Sequence, residues 1–309
     1  MIITNLFKNF TVIVISILAI SISGCKKDNN TQVESIAKPA VIYAGARASS
    51  YGFNEFPSAP EFGRIATNIA NEVNEIAVPS SVWIVSVIGN DGKSYLEFPN
   101  ASGKNYNNIV FSDIDKHEAY LNYFDSIGVK VFLQVEAGLA NMEDLITLVL
   151  SRYKNHPSVV GFGIDVEWFP SNGQEANGVD GGTKLTNADL IRYDTLVKKF
   201  NPKFRIFVKH WKAEYCGNGP VSDVIYIDDS QELESLDAMA EEFSAWGKAF
   251  YPNDVGFQVG YASDYSWWGS LNNPIKDIST TLSDKMNNQT VHFYWVDFTL
   301  DYGELQYVH

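Results

Sequence analysis

Eight apolar, β-branched runs recur along the chain, with helical patterns between them. The runs are AVIYAGAR (40–47), SSVWIVSVIG (80–89), VKVFLQVEAG (129–138), SVVGFGIDVEW (158–168), FRIFVKHW (204–211), DVIYIDDS (223–230), DVGFQVGYA (254–262) and TVHFYWVDF (290–298). None alternates strictly between apolar and polar residues, which suits parallel strands covered by helices. Five stretches have helical spacing: 61–77, 114–128, 142–157, 186–202 and 233–252. Several end in Gly, or in Pro soon after the last turn, both ordinary helix stops. This rhythm over about 270 residues predicts a single α/β domain, a (β/α)8 or TIM barrel. A doubly wound sheet would share the alternation, but no glycine-rich phosphate loop follows the first run. Only a short tail follows the eighth run, so the last helix is expected to be truncated.

The first 24 residues read as a removable leader. Lys8 precedes the apolar run TVIVISILAISIS, which is too short for a comfortable membrane span. The run stops at ISGC, which resembles the lipobox of bacterial lipoproteins; the resemblance implies cleavage before Cys25 and lipid attachment to it. Residues 25–38 then form a polar tether, and 39–309 the barrel. The implied location is the bacterial cell envelope, lipid-anchored at the outer membrane or cell surface. Cys216 is the other cysteine, so the mature chain is expected to hold no intramolecular disulfide and no thiolate metal cluster.

A formal charge of −14 argues against a nucleic-acid partner, because phosphate binding calls for a basic patch. Aromatic residues make up 14% of the chain, and a neutral or weakly polar ligand fits this balance better. In a barrel of this kind the site lies at the C-terminal ends of the strands. The polar residues of the runs concentrate there: Gln134 and Glu136, Asp165 and Glu167, Lys209 with His210 and Trp211, Tyr226 with Asp228 and Asp229, Gln258, and Trp295 with Asp297. Strand side chains alternate faces, so Asp165 and Glu167 point the same way, about 6–7 Å apart along the backbone. Crowded carboxylates in a partly desolvated cleft raise at least one pKa, which keeps a carboxyl protonated as a general acid. Glycoside hydrolysis needs such a pair.

Glu167, Asp165 and Glu136 are therefore the candidate catalytic groups. Gln134, Trp168, Lys209, Trp211, Tyr226, Asp228, Gln258, Trp295 and Asp297 are candidates for holding a carbohydrate, with indole faces suited to sugar rings. The plainer alternative is an ion-pair network at the rim, with Lys209 or Arg47 neutralising the acids. No HxH pair ends the first run and no dinucleotide fingerprint occurs, so neither metal nor cofactor is expected. Schiff-base chemistry at Lys209 is the weaker use of that residue. The long loops 89–113 and 171–190 are placed to wall a groove. A monomer is expected.

The segment GFGIDVEWFP resembles the fourth-strand signature of family 18 glycoside hydrolases, the chitinases and endo-β-N-acetylglucosaminidases, whose pattern is DGxDxDxE followed by an aromatic. Gly163, Ile164, Asp165, Trp168 and Pro170 match in register, and Glu167 takes the place of the last aspartate. A tryptophan ending the eighth strand, the place of Trp295, is also typical of that family, where it floors the sugar site. Phe162 replaces the first aspartate, and Phe169 stands where the family has its catalytic glutamate. Two readings follow. In one, Glu167 is the proton donor of a divergent hydrolase that acts on an oligo- or polysaccharide, N-acetylglucosamine-containing chains among the candidates. In the other, the barrel keeps a glycan-binding groove and has lost catalysis. The acid's counterpart is open between Asp165 orienting a substrate-assisted reaction and a second carboxylate, Glu136, Asp228 or Asp297.

Overall fold

The computed structural model describes residues 41–170, 182–286 and 289–309. The leader, Cys25 and the tether lie outside the described residues, as does the first part of the 171–190 loop. Ten strands are present: β1 (Val41–Ala48), β2 (Val78–Ile88), β3 (Ser94–Leu96), β4 (Ile109–Phe111), β5 (Lys130–Glu136), β6 (Val159–Asp165), β7 (Arg205–Lys209), β8 (Ile225–Asp228), β9 (Val255–Val259) and β10 (Val291–Trp295). Eight of them, β1, β2 and β5 to β10, pair in parallel in chain order, and β1 closes the ring by pairing with both β2 and β10. The eight apolar runs supply these eight strands, and the barrel expectation is borne out.

Helices α1 (Ala59–Val73), α2 (Glu118–Ile127), α3 (Met142–Tyr153), α4 (Asn187–Phe200), α5 (Leu236–Phe250), α6 (Tyr265–Trp268) and α7 (Pro274–Lys285) lie between the strands. Several starts are fixed by side chains. The amide of Asp144 donates to Asn141 ahead of α3, Thr186 and Asp189 form a reciprocal capping box at α4, and Ser235 accepts from Ala238 at α5. Helix α7 was not among the five helical stretches. Its buried apolar side chains are few, Ile275, Ile278 and Leu282 after Pro274, so its stripe is thin among polar residues. The excursion after β2 is also more ordered than a plain loop: β3 pairs antiparallel with β2, and β4 lies parallel beside β3. After β10, short 3-10 turns at Asp297–Thr299 and Gly303–Val308 stand where the last α-helix would lie. Leu305 and Val308 are buried there, and the Asn68 side chain of α1 donates to the Val308 carbonyl at 3.0 Å.

The lumen is filled in layers. At the N-terminal end Tyr43 stacks on His292 with ring centroids 5.2 Å apart, and Asp254 pairs with Arg205. Val82, Phe132, Phe207, Ile225, Ile227 and Tyr294 form an apolar plug above them. The two strand glycines of GFGIDVEW belong to this plug. A Cβ on Gly163 would lie 2.1 Å from the tip of the Phe207 ring, and one on Gly161 would meet the Arg205 carbonyl at 2.1 Å. Phe132 and Phe207 meet edge to face at 5.8 Å and need the room that glycine leaves. Polar side chains return above the plug, at the C-terminal ends of the strands, so the plug is the floor of whatever site lies there.

Gly163→Ala is expected to lower stability by about 1–3 kcal/mol through overpacking in this layer. Urea unfolding of the two proteins checks this, the expected sign being a lower midpoint with an unchanged slope.

Candidate active site

Above the plug, β5, β6 and β7 bring three charged side chains to one level, because Glu136 pairs with Asp165 and Asp165 with Lys209 in the strand register. All three are buried, at 2% exposure each. The Lys209 ammonium lies 3.1 Å from Asp165 Oδ2 and also contacts Asp229 Oδ2, just beyond β8. Gln134 donates to the same Asp165 oxygen at 3.1 Å. Glu136 accepts from the Tyr51 hydroxyl at 2.6 Å and from the Ile88 amide at 2.9 Å, so both of its oxygens are engaged.

Glu167 reaches this group by a different backbone. Strand β6 stops at Asp165, and a 3-10 turn carries Val166–Trp168. Asp165, Glu167 and Trp168 nevertheless line the same cavity of about 340 Å³, together with Glu136, Lys209, Asp229, Arg47, Tyr51, Tyr261 and Phe298. Glu167 is half-buried, and among the described residues no side chain donates a hydrogen bond to it. It is the uncommitted carboxyl of the cluster.

Four carboxylates around one lysine cannot all stay ionised. Burial raises Glu167, and the charges of Asp165, Asp229 and Glu136 add to this against the pull of Lys209, which brings it up to about 8. Burial, with Asp165 beside it, lifts Glu136 to about 7. Burial also raises Asp165; Lys209 opposes and Asp229 adds, and it stays at about 6, ionised at neutrality. Burial works against the charge of Lys209, but its two carboxylate partners more than offset this and hold it protonated. The cavity thus contains a carboxyl that keeps its proton at pH 7 beside carboxylates that have lost theirs.

The remaining sequence candidates divide by strand parity. Gln134 and Gln258 face the lumen just beneath the cavity, Gln258 in contact with the Tyr261 hydroxyl at 3.4 Å. Trp295 is fully buried on the outer face of β10, where its N–H donates to Thr299 at 2.9 Å and its ring meets Trp268 edge-on. It offers no face to the cavity. Tyr226 and Asp228 also point outward, since Ile225 and Ile227 take the inward positions of β8. Tyr226 stacks on Phe250, and Asp228 accepts from the amide and hydroxyl of Ser230 at 2.8 and 2.7 Å. Trp211 stacks on His210 outside the cavity lining. Asp297 is an anchor: Arg47 and Ser49 hold its two oxygens, with the Arg47 Nε at 2.8 Å and the Ser49 amide and hydroxyl both at 2.6 Å. A Cβ on Gly52 would fall 2.0 Å from that carboxylate, so the chain ahead of Tyr51's loop can pass only as glycine. Phe169, in the place of the family 18 glutamate, packs edge-on to Tyr193 of α4 and is not a cavity residue.

The polar and aromatic cavity residues outside the candidate set are Tyr51, Asn90, Gln231, Tyr261 and Phe298, and also Asp229, which ends its strand run but is not among the candidates. Asp229 stood one position from a chosen residue, and only the strand's phase separates the two. Tyr51, Asn90 and Gln231 come from loops, where no periodicity marks a side chain.

No family model matches the chain, and no curated protein sequence matches it. Solved structures similar to it include the β-glucuronidase of Parabacteroides merdae, at 12% identity and TM-score 0.47 over 83% of this chain and 31% of that one. Another is β-glucuronidase 3 of Bacteroides uniformis, at 12% identity and TM-score 0.45 over 83% of this chain and 32% of that one. An endocellulase from Pyrococcus horikoshii, in complex with cellotetraose, gives 12% identity and TM-score 0.45 over 85% of this chain and 86% of that one. These neighbours are glycoside hydrolases, and this chain spans about a third of the length of the two glucuronidases.

Two predictions rest on this geometry. Asp297→Asn leaves Arg47 buried with a weakened partner, and a loss of about 3–5 kcal/mol in denaturant unfolding is expected. For Glu167, the folded pKa of about 8 lies above the ordinary 4.5, so the folded state holds the proton more tightly. Its stabilising contribution is complete below about 4.5 and lost as pH rises through 8. Glu167→Gln cannot titrate, so its Tm relative to wild type should climb between pH 5 and pH 9. A difference that stays flat or falls would contradict the raised pKa.

Proposed function

We propose that the protein is a glycoside hydrolase that cleaves an oligo- or polysaccharide by carboxylate acid/base catalysis, presented at the bacterial envelope through a lipid on Cys25. The observation that carries this reading is Glu167: a half-buried carboxyl, uncommitted among its described neighbours and raised to about 8, in a cavity shared with three further carboxylates. A group of that kind donates a proton to a departing glycosidic oxygen near neutral pH. Asp165 and Asp229, tied to Lys209, hold negative charge beside it and keep its proton on. Glu136 serves as the second carboxylate: two hydrogen bonds orient it, and with a pKa of about 7 it is partly ionised at neutrality. Asp228 and Asp297 drop out of that role, one on the outer face and the other bound by Arg47. Trp168 supplies the aromatic face of the cavity, the part that Trp295 would have taken in the family 18 comparison.

The reaction sequence follows from these assignments. Glu167 protonates the leaving oxygen as the glycosidic bond breaks, and the Glu136 carboxylate either attacks the anomeric carbon or draws the proton from the attacking water.

Mass spectrometry of a panel of α- and β-linked glucan and N-acetylglucosamine oligosaccharides, incubated with soluble protein lacking the lipid anchor, tests the reading. Cleavage by wild type and a loss of about 10² or more in kcat for Glu167→Gln are expected. The pH profile should be bell-shaped, with its alkaline limb near 8 from Glu167 and its acid limb near 7 from Glu136. Binding without cleavage by wild type would identify a non-catalytic glycan-binding barrel. Unimpaired cleavage by the variant would remove Glu167 as the acid.

A further inference from the structure

The cavity opens beside a larger cleft of about 830 Å³, and the two share Tyr51 and Phe298. These residues form a ridge: their rings lie 6.0 Å apart, both are about two-fifths exposed, and the Arg47 guanidinium sits 4.3 Å from the Phe298 ring. Beyond the ridge, the cleft carries Glu55, Glu61 and Asp301 with Phe53 and Phe56. Among the described residues, Arg47 and Lys209 are the lysine and arginine side chains that line either hollow, and both are already held by carboxylates; His309, at the far side of the cleft, has its Nε2 2.7 Å from the Leu300 carbonyl. The acceptors are in excess. Asp165 Oδ1 and Asp229 Oδ1 are buried without a hydrogen-bond partner, on residues 2% and 6% exposed that line the cavity. A buried carboxylate oxygen with no donor is costly, so it marks where a ligand donor belongs.

We propose that the cavity and the adjoining cleft form one groove for a glycan bearing free, protonated amino groups, a chain of glucosamine-type residues laid across the Tyr51–Phe298 ridge. This rests on the glycan reading above and names its substrate class. Lys209 divides one positive charge between two carboxylates, and a sugar ammonium supplies the second charge that the cluster lacks. Donation to Asp165 Oδ1 and Asp229 Oδ1 satisfies the orphaned acceptors, and Glu55 and Asp301 attract amines further along the chain. The ridge offers ring faces to a pyranose. An N-acetylated residue forfeits the charge, and a uronic acid brings a carboxylate among carboxylates where the lining lysine and arginine, among the described residues, are already paired.

Isothermal titration of the full chain carrying Glu167→Gln, so that no probe is consumed, decides the matter. The probes are the β-1,4 tetramers of glucosamine and N-acetylglucosamine, cellotetraose and tetragalacturonate. The glucosamine tetramer should bind about tenfold or more tightly than either neutral tetramer, and the uronate should not bind detectably. Raising salt from about 50 to about 500 mM should weaken the glucosamine tetramer several-fold and leave cellotetraose nearly unchanged. Adding Glu55→Gln and Asp301→Asn, both at exposed positions where folding is not at risk, should cut the glucosamine preference by about threefold or more. Equal or tighter binding of a neutral or acidic tetramer overturns this proposal and leaves the glycan reading standing. Failure of all four probes to bind, with no cleavage by wild type, removes both.

Discussion

One buried ammonium governs the upper lumen. Lys209 sits on an apolar floor, where an isolated charge would be untenable, and it is stable there because Asp165 and Asp229 close on it from neighbouring strands. The arrangement is asymmetric in charge. A single cation satisfies two carboxylates, and two more, Glu136 and Glu167, are brought alongside without a cation of their own. The excess is relieved by protons rather than by further ion pairs. That relief, more than any individual hydrogen bond, leaves a protonated carboxyl beside ionised ones.

The layering of the lumen makes such a cluster possible. Phe132, Phe207 and Tyr294 fill the middle, and the strand glycines make way for them, so an apolar layer separates the two ends of the lumen. The charged groups at the N-terminal end, Arg205 with Asp254 under His292, form a separate set beneath the plug. The plug therefore insulates one ionic layer from the other, and each titrates in its own surroundings. Asp254 is lowered to about 2 against the opposing effect of its burial, while Asp165 is raised to about 6.

Much of this was legible in the sequence, and the failures have physical causes. The eight strands were readable because each is an unbroken apolar run, the mark of a strand buried on both faces. Glu136, Asp165, Glu167, Trp168 and Lys209 were readable because polar residues at the end of such a run have few places to go but the mouth of the barrel. The same property hid the phase. An unbroken apolar run does not say which parity faces inward, so the run alone does not separate Asp229, in the cavity, from Asp228 on the outer face, nor show that the indole of Trp295 packs against Trp268 of α6. Tyr51, Asn90 and Gln231 approach from loops whose course depends on the closed barrel. Helix α7 was lost because three buried aliphatic residues among polar ones make a weak periodic signal.

The clamp between Arg47 and Asp297 joins residues 250 positions apart, one just inside the first strand and the other just after the last. It spans the seam at which the cylinder zips shut, and Tyr51, which steers Glu136, hangs from the loop that the clamp secures. A ribosome-bound chain that has emerged only through β9 holds every carboxylate of the cavity and still lacks the fastening that sets Tyr51 over Glu136. The contact that fixes the pocket thus forms only when the first and the eighth barrel strand meet. A barrel not yet closed carries the four carboxyls without the contact that holds Tyr51 against Glu136.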